Sequence, residues 1–176
     1  MNISEKTLKS ERIYEGKVLN LRVDTVELPD QKYSKREIVE HSGAVGVIGV
    51  NDEGKVILVK QYRKAVDDFL IEIPAGKMEP KEDPLECAKR EFKEETGYTA
   101  RDLHLLSEFY TSPGFSNEKI YLYEAVNLSK GSAEPDEDEY IEILEIPFDT
   151  AIKKISTGEI QDSKTIIAIL MAKENR

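Results

Sequence analysis

The chain has 176 residues, of which 39% are hydrophobic and 34% charged, a balance that suits one soluble globular domain with a short extension and argues against disorder. Acidic residues number 35 against 25 basic, for a net charge of −10, which disfavours broad electrostatic binding to nucleic acid. A lone cysteine, Cys87, excludes a disulfide framework or a cysteine zinc site within one chain. No apolar run reaches the length of a membrane span. The start, MNISEKTLKSER, has no apolar signal region, which points to the cytoplasm.

Strands are expected first at Lys17–Val26 and Arg36–His41, joined by a turn in LPDQKYSK. The apolar runs Ala44–Val50 and Lys55–Gln61 follow, linked by Asn51-Asp52-Glu53-Gly54, a hairpin signal. A short strand near Phe69–Ile73 leads into Pro74-Ala75-Gly76. A helix then begins at Asp83 as cap, with Pro84 in its first position and Glu86 placed to complete a capping box. Leu85, Ala88 and Phe92 form its apolar stripe, and Gly97 stands where a left-handed cap ends it. Strands at Leu103–Phe109, Ile120–Asn127 and Tyr140–Ile146 precede helices near Asp149–Ser156 and Ser163–Lys173. The pattern is that of an α+β domain with a mixed sheet covered by helices, residues 44–176, behind an N-terminal antiparallel β extension, residues 1–43.

The central helix carries Arg90, Glu91, Glu94 and Glu95. At about 100° per residue, Glu91 and Glu95 project on nearly the same side, with Glu94 close by. Like charges so placed repel, and either Arg90, one turn from Glu94, or a divalent cation can offset the cost. Hard carboxylate oxygens suit magnesium or manganese. The alternative is a solvated acidic face. In the preceding loop Gly76 permits close approach of a ligand, or simply makes a turn. The Ala75 carbonyl is a neutral donor at a strand end, and Glu82 is placed to close the loop.

Read together, Gly76, Glu82, Arg90-Glu91, Phe92, Glu94-Glu95, Gly97 and Tyr98 resemble the box of the Nudix hydrolases. That resemblance implies an α/β/α sandwich and magnesium-dependent hydrolysis of a nucleoside diphosphate linked to a further group, with manganese as a substitute. It also implies that Glu91 and Glu95 are principal metal ligands, Glu94 a further one, and the Ala75 carbonyl part of the site. Gly76, Glu82 and Arg90 would shape the loop–helix–loop. Pro113, 15 residues beyond Tyr98, looks like the marker of the ADP-ribose pyrophosphatase subfamily. The segments Lys35–Val39, Val59–Arg63 and Ile71–Gly76 resemble the same subfamily, and the likeness runs roughly from Tyr14 to Leu170.

A diphosphate approaching clustered carboxylates needs cationic help, and Arg36 and Arg63 offer forked donors, unless each is only a surface ion pair. Glu72 is placed to accept from a sugar hydroxyl or the adenine amino group, or else to pair with a lysine. Pro113, Gly114 and Phe115 form a candidate substrate loop, although an aromatic beside a turn is more often packing. In the resembling enzymes a glutamate on a loop positions the attacking water, and here the acidic stretch 134–139 offers Glu139 first and Glu137 second. Adenine-pocket residues are sought in the N-terminal strands, with Tyr14 and Val18 as candidates, and the family implies a homodimer through those strands. His41, His104 and Cys87 read as structural. ADP-ribose is thus the expected substrate. Other nucleoside diphosphate sugars or dinucleoside polyphosphates are the second reading. The third, a non-catalytic ADP-ribose sensor, calls for a damaged box or an added DNA-binding domain, and the sequence shows neither.

Overall fold

A computed structural model of the chain describes residues 4–134 and 140–174. The chain divides into two compact units, one of Met1–Gly43 with Tyr110–Lys119, the other of Ala44–Phe109 with Ile120–Arg176.

In the first unit, β1 (Lys6–Glu15), β2 (Asn20–Glu27) and β3 (Tyr33–Glu40) form an antiparallel sheet in that order. The sequence reading missed β1. Its residues, KTLKSERIYE, are exposed at all ten positions, so no buried face imprints an alternating pattern on them. The strand expected from Lys17 begins instead at Asn20, because Gly16 N–H bonds to the Leu19 carbonyl at 3.0 Å and makes a turn there. The turn in LPDQKYSK is present, with Leu28 N–H on the Lys32 carbonyl at 2.8 Å and Gln31 at φ 63°. Segment 110–119 attaches to β3, where Val39 N–H donates to the Phe115 carbonyl at 2.8 Å and Asn117 N–H to the Val39 carbonyl at 3.1 Å.

The second unit is built on β4 (Ala44–Val50), which pairs in parallel with β9 (Lys119–Lys130) and antiparallel with β5 (Lys55–Arg63) and β7 (Ala75–Lys77). The sheet order is β10-β5-β4-β9-β8, with β10 at Ile141–Pro147 and β8 at Tyr98–Tyr110. The strand β6 (Asp68–Glu72) lies beside β5. β4 reads as an unbroken apolar run because helices cover both of its faces. Val45 and Val47 pack with Ile57, Ala88 and Phe92 under α1 (Pro84–Thr96). Ile48 packs with Val56, Leu58, Ile73 and Leu122 under α2 (Phe148–Ser156) and α3 (Ser163–Glu174). This is the expected mixed sheet between helical layers.

The β4–β5 hairpin forms as its sequence implies. Asn51 Oδ1 accepts from Glu53 N–H at 3.1 Å and Lys55 N–H at 3.0 Å, and Gly54 takes φ 73°. β8 and β9 run longer than the sequence reading gave them. Exposed residues such as Arg101 and Asp102 continue the β8 backbone pairing without any apolar pattern to announce it. Among the described residues no helix is long and apolar enough to cross a membrane.

Candidate active site

α1 begins where Asp83 Oδ1 accepts from Leu85 N–H at 2.9 Å and Glu86 N–H at 3.3 Å, with Pro84 supplying a pre-set φ and no orphan donor. The reciprocal half of the expected capping box is absent, because Glu86 instead pairs with Lys89 Nζ at 2.6 Å, one turn along the exposed face. Gly97 ends the helix at φ 72°, its N–H on the Lys93 carbonyl at 2.8 Å. Burial of Cys87, Ala88 and Phe92 fixes the helix against β4 and β5, and that fixes where its acidic edge points.

Arg90 organises that edge. Nε and Nη2 donate to the two Glu82 oxygens at 3.0 and 3.1 Å, and Nη1 donates to Glu91 at 2.8 Å and Glu94 at 3.0 Å. Glu82 was expected to close the loop onto the helix start. It does so through Arg90 and through Glu79 N–H at 2.8 Å. Glu95 is not on a solvated edge. It is 3% exposed, and its Oε2 accepts Ala75 N–H at 3.0 Å, tying helix to strand at the first residue of β7.

Arg90 and the Glu79 amide hold the Glu82 carboxyl down at about 2. Its usual value is 4.5, so the stabilisation is present above about 4.5 and is lost as pH falls towards 2. Metal-free protein is therefore expected to lose stability on acidification across that window. Glu82→Gln is expected to be less stable at neutral pH and to decline less steeply in acid. Urea midpoints measured from pH 7 downwards check this, and parallel curves for the two proteins would contradict it.

The Glu91 carboxylate lies directly over Gly76. A Cβ at residue 76 would meet Glu91 Cδ at 1.9 Å and its two oxygens at 2.1 and 2.2 Å. The missing side chain is thus a cradle for a carboxylate beside the Ala75 carbonyl. The donors are hard oxygens, which fit a divalent cation. Among the described residues no three acidic side chains converge on one point, since Arg90 draws Glu91 and Glu94 towards itself and Ala75 holds Glu95.

Arg63 and Glu72, both expected near substrate, bind each other. Arg63 Nε and Nη2 reach the two Glu72 oxygens at 2.7 and 2.8 Å, and Lys164 contacts the same carboxylate. Burial raises the Glu72 pKa, but Arg63 and Lys164 outweigh it and the carboxyl lies below its usual value. Lys164, Asp162 and Thr165 were not singled out from the sequence. They lie 92 residues or so from Glu72 and Ile73, and only the fold joins them, although Asp162 before a helix is a readable cap.

The residues that follow β9 are tied to the end of α1. Gly131 N–H donates to the Gly97 carbonyl at 2.8 Å and Glu134 N–H to the Glu94 carbonyl at 2.9 Å. Glu137 and Glu139 lie outside the described residues. In the first unit, Arg36 forks onto Glu5 at 2.9 and 2.5 Å. Pro113 and Gly114 sit in a turn closed by Phe115 N–H on the Ser112 carbonyl at 3.1 Å. Phe115 and Val18 line one open concavity of about 340 Å³ with Leu19, Val39 and His41, while Tyr14 is exposed. His41 holds a turn, its Nδ1 accepting Gly43 N–H at 3.1 Å. His104 is exposed, and Cys87 is fully buried with its thiol pushed up to about 12, first by burial and then by Glu82.

Comparison with known proteins gives the family. Residues 40–167 match the NUDIX domain model, and residues 5–39 match a nucleoside diphosphate sugar hydrolase N-terminal domain. The chain is 49% identical over 170 residues to an ADP-ribose pyrophosphatase of Bacillus subtilis (strain 168), covering 96% of this chain and 92% of that one. It is 50% identical over 167 residues to a methanol dehydrogenase activator of Bacillus methanolicus, covering 94% and 90%. A crystal structure of an ADP compounds hydrolase superposes with a TM-score of 0.85 at 22% identity, over 97% of this chain and 92% of that one, and shares the fold. The strand, loop and helix that carry Ala75, Gly76, Arg90 and the three glutamates all fall inside the matched domain, and the chain belongs to the NUDIX family of hydrolases.

Proposed function

We propose that this protein hydrolyses the diphosphate of ADP-ribose, releasing AMP and ribose 5-phosphate, with magnesium as the cation and manganese as its substitute. The observation that carries this reading is the α1 edge, where Glu91 lies over Gly76, Arg90 bonds Glu91 and Glu94, and Glu95 accepts the Ala75 N–H. The choice of ADP-ribose follows the 49% identity over nearly the whole chain with a protein of that name.

Glu91, Glu94, Glu95 and the Ala75 carbonyl would hold the ion. A divalent cation bound there supplies charge neutralisation of the diphosphate and polarisation of a phosphoryl oxygen. Arg63 would donate to phosphate oxygens from its outward edge. Arg90 fixes the positions of Glu82, Glu91 and Glu94. Water adds its oxygen to one phosphorus, the anhydride P–O bond breaks towards the other, and the proton passes to a carboxylate of the loop that Glu134 pins to α1. Glu139 is the first choice for that base and Glu137 the second. Substrate contacts at Arg36, Pro113, Gly114 and Phe115 are proposed on the resemblance, whereas Glu72, buried with both oxygens engaged by Arg63 and Lys164, serves to hold Arg63 and not to meet the substrate. The cytoplasm is the proposed compartment.

A homodimer is proposed from β1. Its ten residues are exposed, with Leu8, Ile13 and Tyr14 about half open to solvent, and such an exposed strand is a ready surface for a second copy of the chain.

Incubating purified protein with ADP-ribose is expected to release AMP in the presence of magnesium and not in its absence. Equal, background-level AMP in both would reject the assignment. A second reading, hydrolysis of other nucleoside diphosphate sugars, is favoured by the N-terminal match over residues 5–39. A panel of such substrates ranked by kcat/KM decides between the two.

A further inference from the structure

Glu72 closes β6 and is 1% exposed. A carboxylate so deep must have its charge matched and its oxygens hydrogen-bonded. Arg63 covers it from β5 with two parallel bonds, and Lys164 covers it from the first turn of α3. Lys164 Nζ also lies 3.0 Å from Asp162. Asp162 in turn accepts Thr165 N–H at 2.9 Å and the Thr165 hydroxyl at 2.6 Å, and Thr165 Oγ1 accepts Ile73 N–H at 2.7 Å.

The start of α3 therefore holds two successive residues, Glu72 by charge and Ile73 by its backbone. Different elements hold the next two. The Pro74 carbonyl accepts Val47 N–H at 2.9 Å, and Ala75 N–H donates to Glu95 at 3.0 Å.

This arrangement sets the aim of Arg63. Side-on pairing uses Nε and one Nη2 hydrogen, so Nη1 and the outer Nη2 hydrogen face away from Glu72. The Arg63 side chain is 39% exposed while its anchor is 1% exposed, so the outward edge meets solvent. Its anchor Glu72 lies three residues before Ala75, whose N–H bonds Glu95, so Arg63 is held on the segment that leads into the α1 edge.

We infer that Lys164 and Asp162 are positioning residues for substrate binding: they lock Glu72 so that the outward edge of Arg63 is aimed at a diphosphate oxygen held beside α1. This rests on the diphosphate reading given above. Lys164 does not itself touch substrate, since its ammonium is engaged by Glu72 and Asp162 and its side chain is 15% exposed.

The test is steady-state hydrolysis of ADP-ribose with magnesium by wild type, Lys164→Met, Lys164→Arg, Arg63→Ala and the double variant Lys164→Met/Arg63→Ala. Lys164→Met is expected to raise KM about tenfold and to change kcat by less than about twofold, because a misaimed phosphate donor removes binding common to ground and transition states. Lys164→Arg should restore most of the loss, since a guanidinium can still bridge both carboxylates. In the Arg63→Ala background, Lys164→Met should raise KM no further, because the two act as one unit. A Lys164→Met enzyme with wild-type KM, or KM effects that multiply in the double variant, overturns the inference. If Lys164→Met fails to fold, Asp162→Asn serves, since it keeps an oxygen for Thr165 N–H and gives up the ion pair. It must show the same KM-only shift, and an unchanged KM overturns the inference. A wild type that releases no AMP overturns the function reading and this one together, whereas an active wild type with an indifferent Lys164 overturns this one alone.

Discussion

Glu95→Gln is expected to release AMP from ADP-ribose roughly a thousandfold more slowly than wild type, the loss that follows when several kcal/mol of cation-mediated charge stabilisation is withdrawn. The variant should fold. Glu95 is buried, and one of its oxygens accepts Ala75 N–H. The amide oxygen of glutamine can take over that bond, so helix and strand stay tied. What glutamine cannot supply is the negative charge and the second oxygen lone pairs that a hard cation requires. Turnover, thermal melting and manganese titration on the same preparation separate the two roles. Turnover within about tenfold of wild type, with unaltered metal affinity, would remove Glu95 from the metal site, since loss of a ligand costs more than that.

Gly76→Ala tests the other side of the site, and its effect is steric. The new Cβ would overlap the Glu91 carboxyl group at 1.9 to 2.2 Å, far inside contact distance. Either Glu91 swings out or β7 leaves its pairing with β4, where Val45 stands opposite Gly76. Both outcomes displace a proposed ligand, so turnover should fall by at least about a hundredfold. Stability should fall as well, by about 1–3 kcal/mol, the usual cost of overpacking. A double-variant cycle identifies the cause. In a Glu91→Ala background the three atoms nearest the new Cβ are gone, so Gly76→Ala should then cost much less stability while activity stays lost. If the stability cost persists without the Glu91 side chain, the clash lies in the backbone and the cradle described here is wrong.

The helix that bears the chemistry was legible in the sequence from end to end. Asp83, Pro84 and Gly97 mark its limits through local backbone demands, and Ala88 and Phe92 mark its buried side through spacing. Local signals of this kind do not depend on the rest of the fold. The partners of the site residues are a different matter. Arg63 and Glu72 lie on neighbouring strands, but the β5–β6 register sets Arg63 opposite Asp68 and Glu72 opposite Val59, so the two long side chains meet diagonally along the sheet and no local signal announces it. Lys164 reaches Glu72 only because α3 folds back across the sheet. β1 was invisible for the opposite reason. None of its residues is fully or mostly buried, so burial leaves no alternating trace in its composition. The attachment of Gly131 and Glu134 to α1 was not legible, because both are held through backbone amides that carry no side-chain signature.

Cys87 sits one turn before Glu91 on the same helix, wholly covered and with its thiol held up to about 12. A sulfur so placed is protonated near neutrality and out of reach of alkylating reagents while the helix stays seated. Modification must wait for α1 to lift from β4 and β5, so the labelling rate of this single thiol reports how often α1 opens. The protein thereby carries an intrinsic gauge of its own local unfolding, one that can be read against substrate and cation without adding any probe.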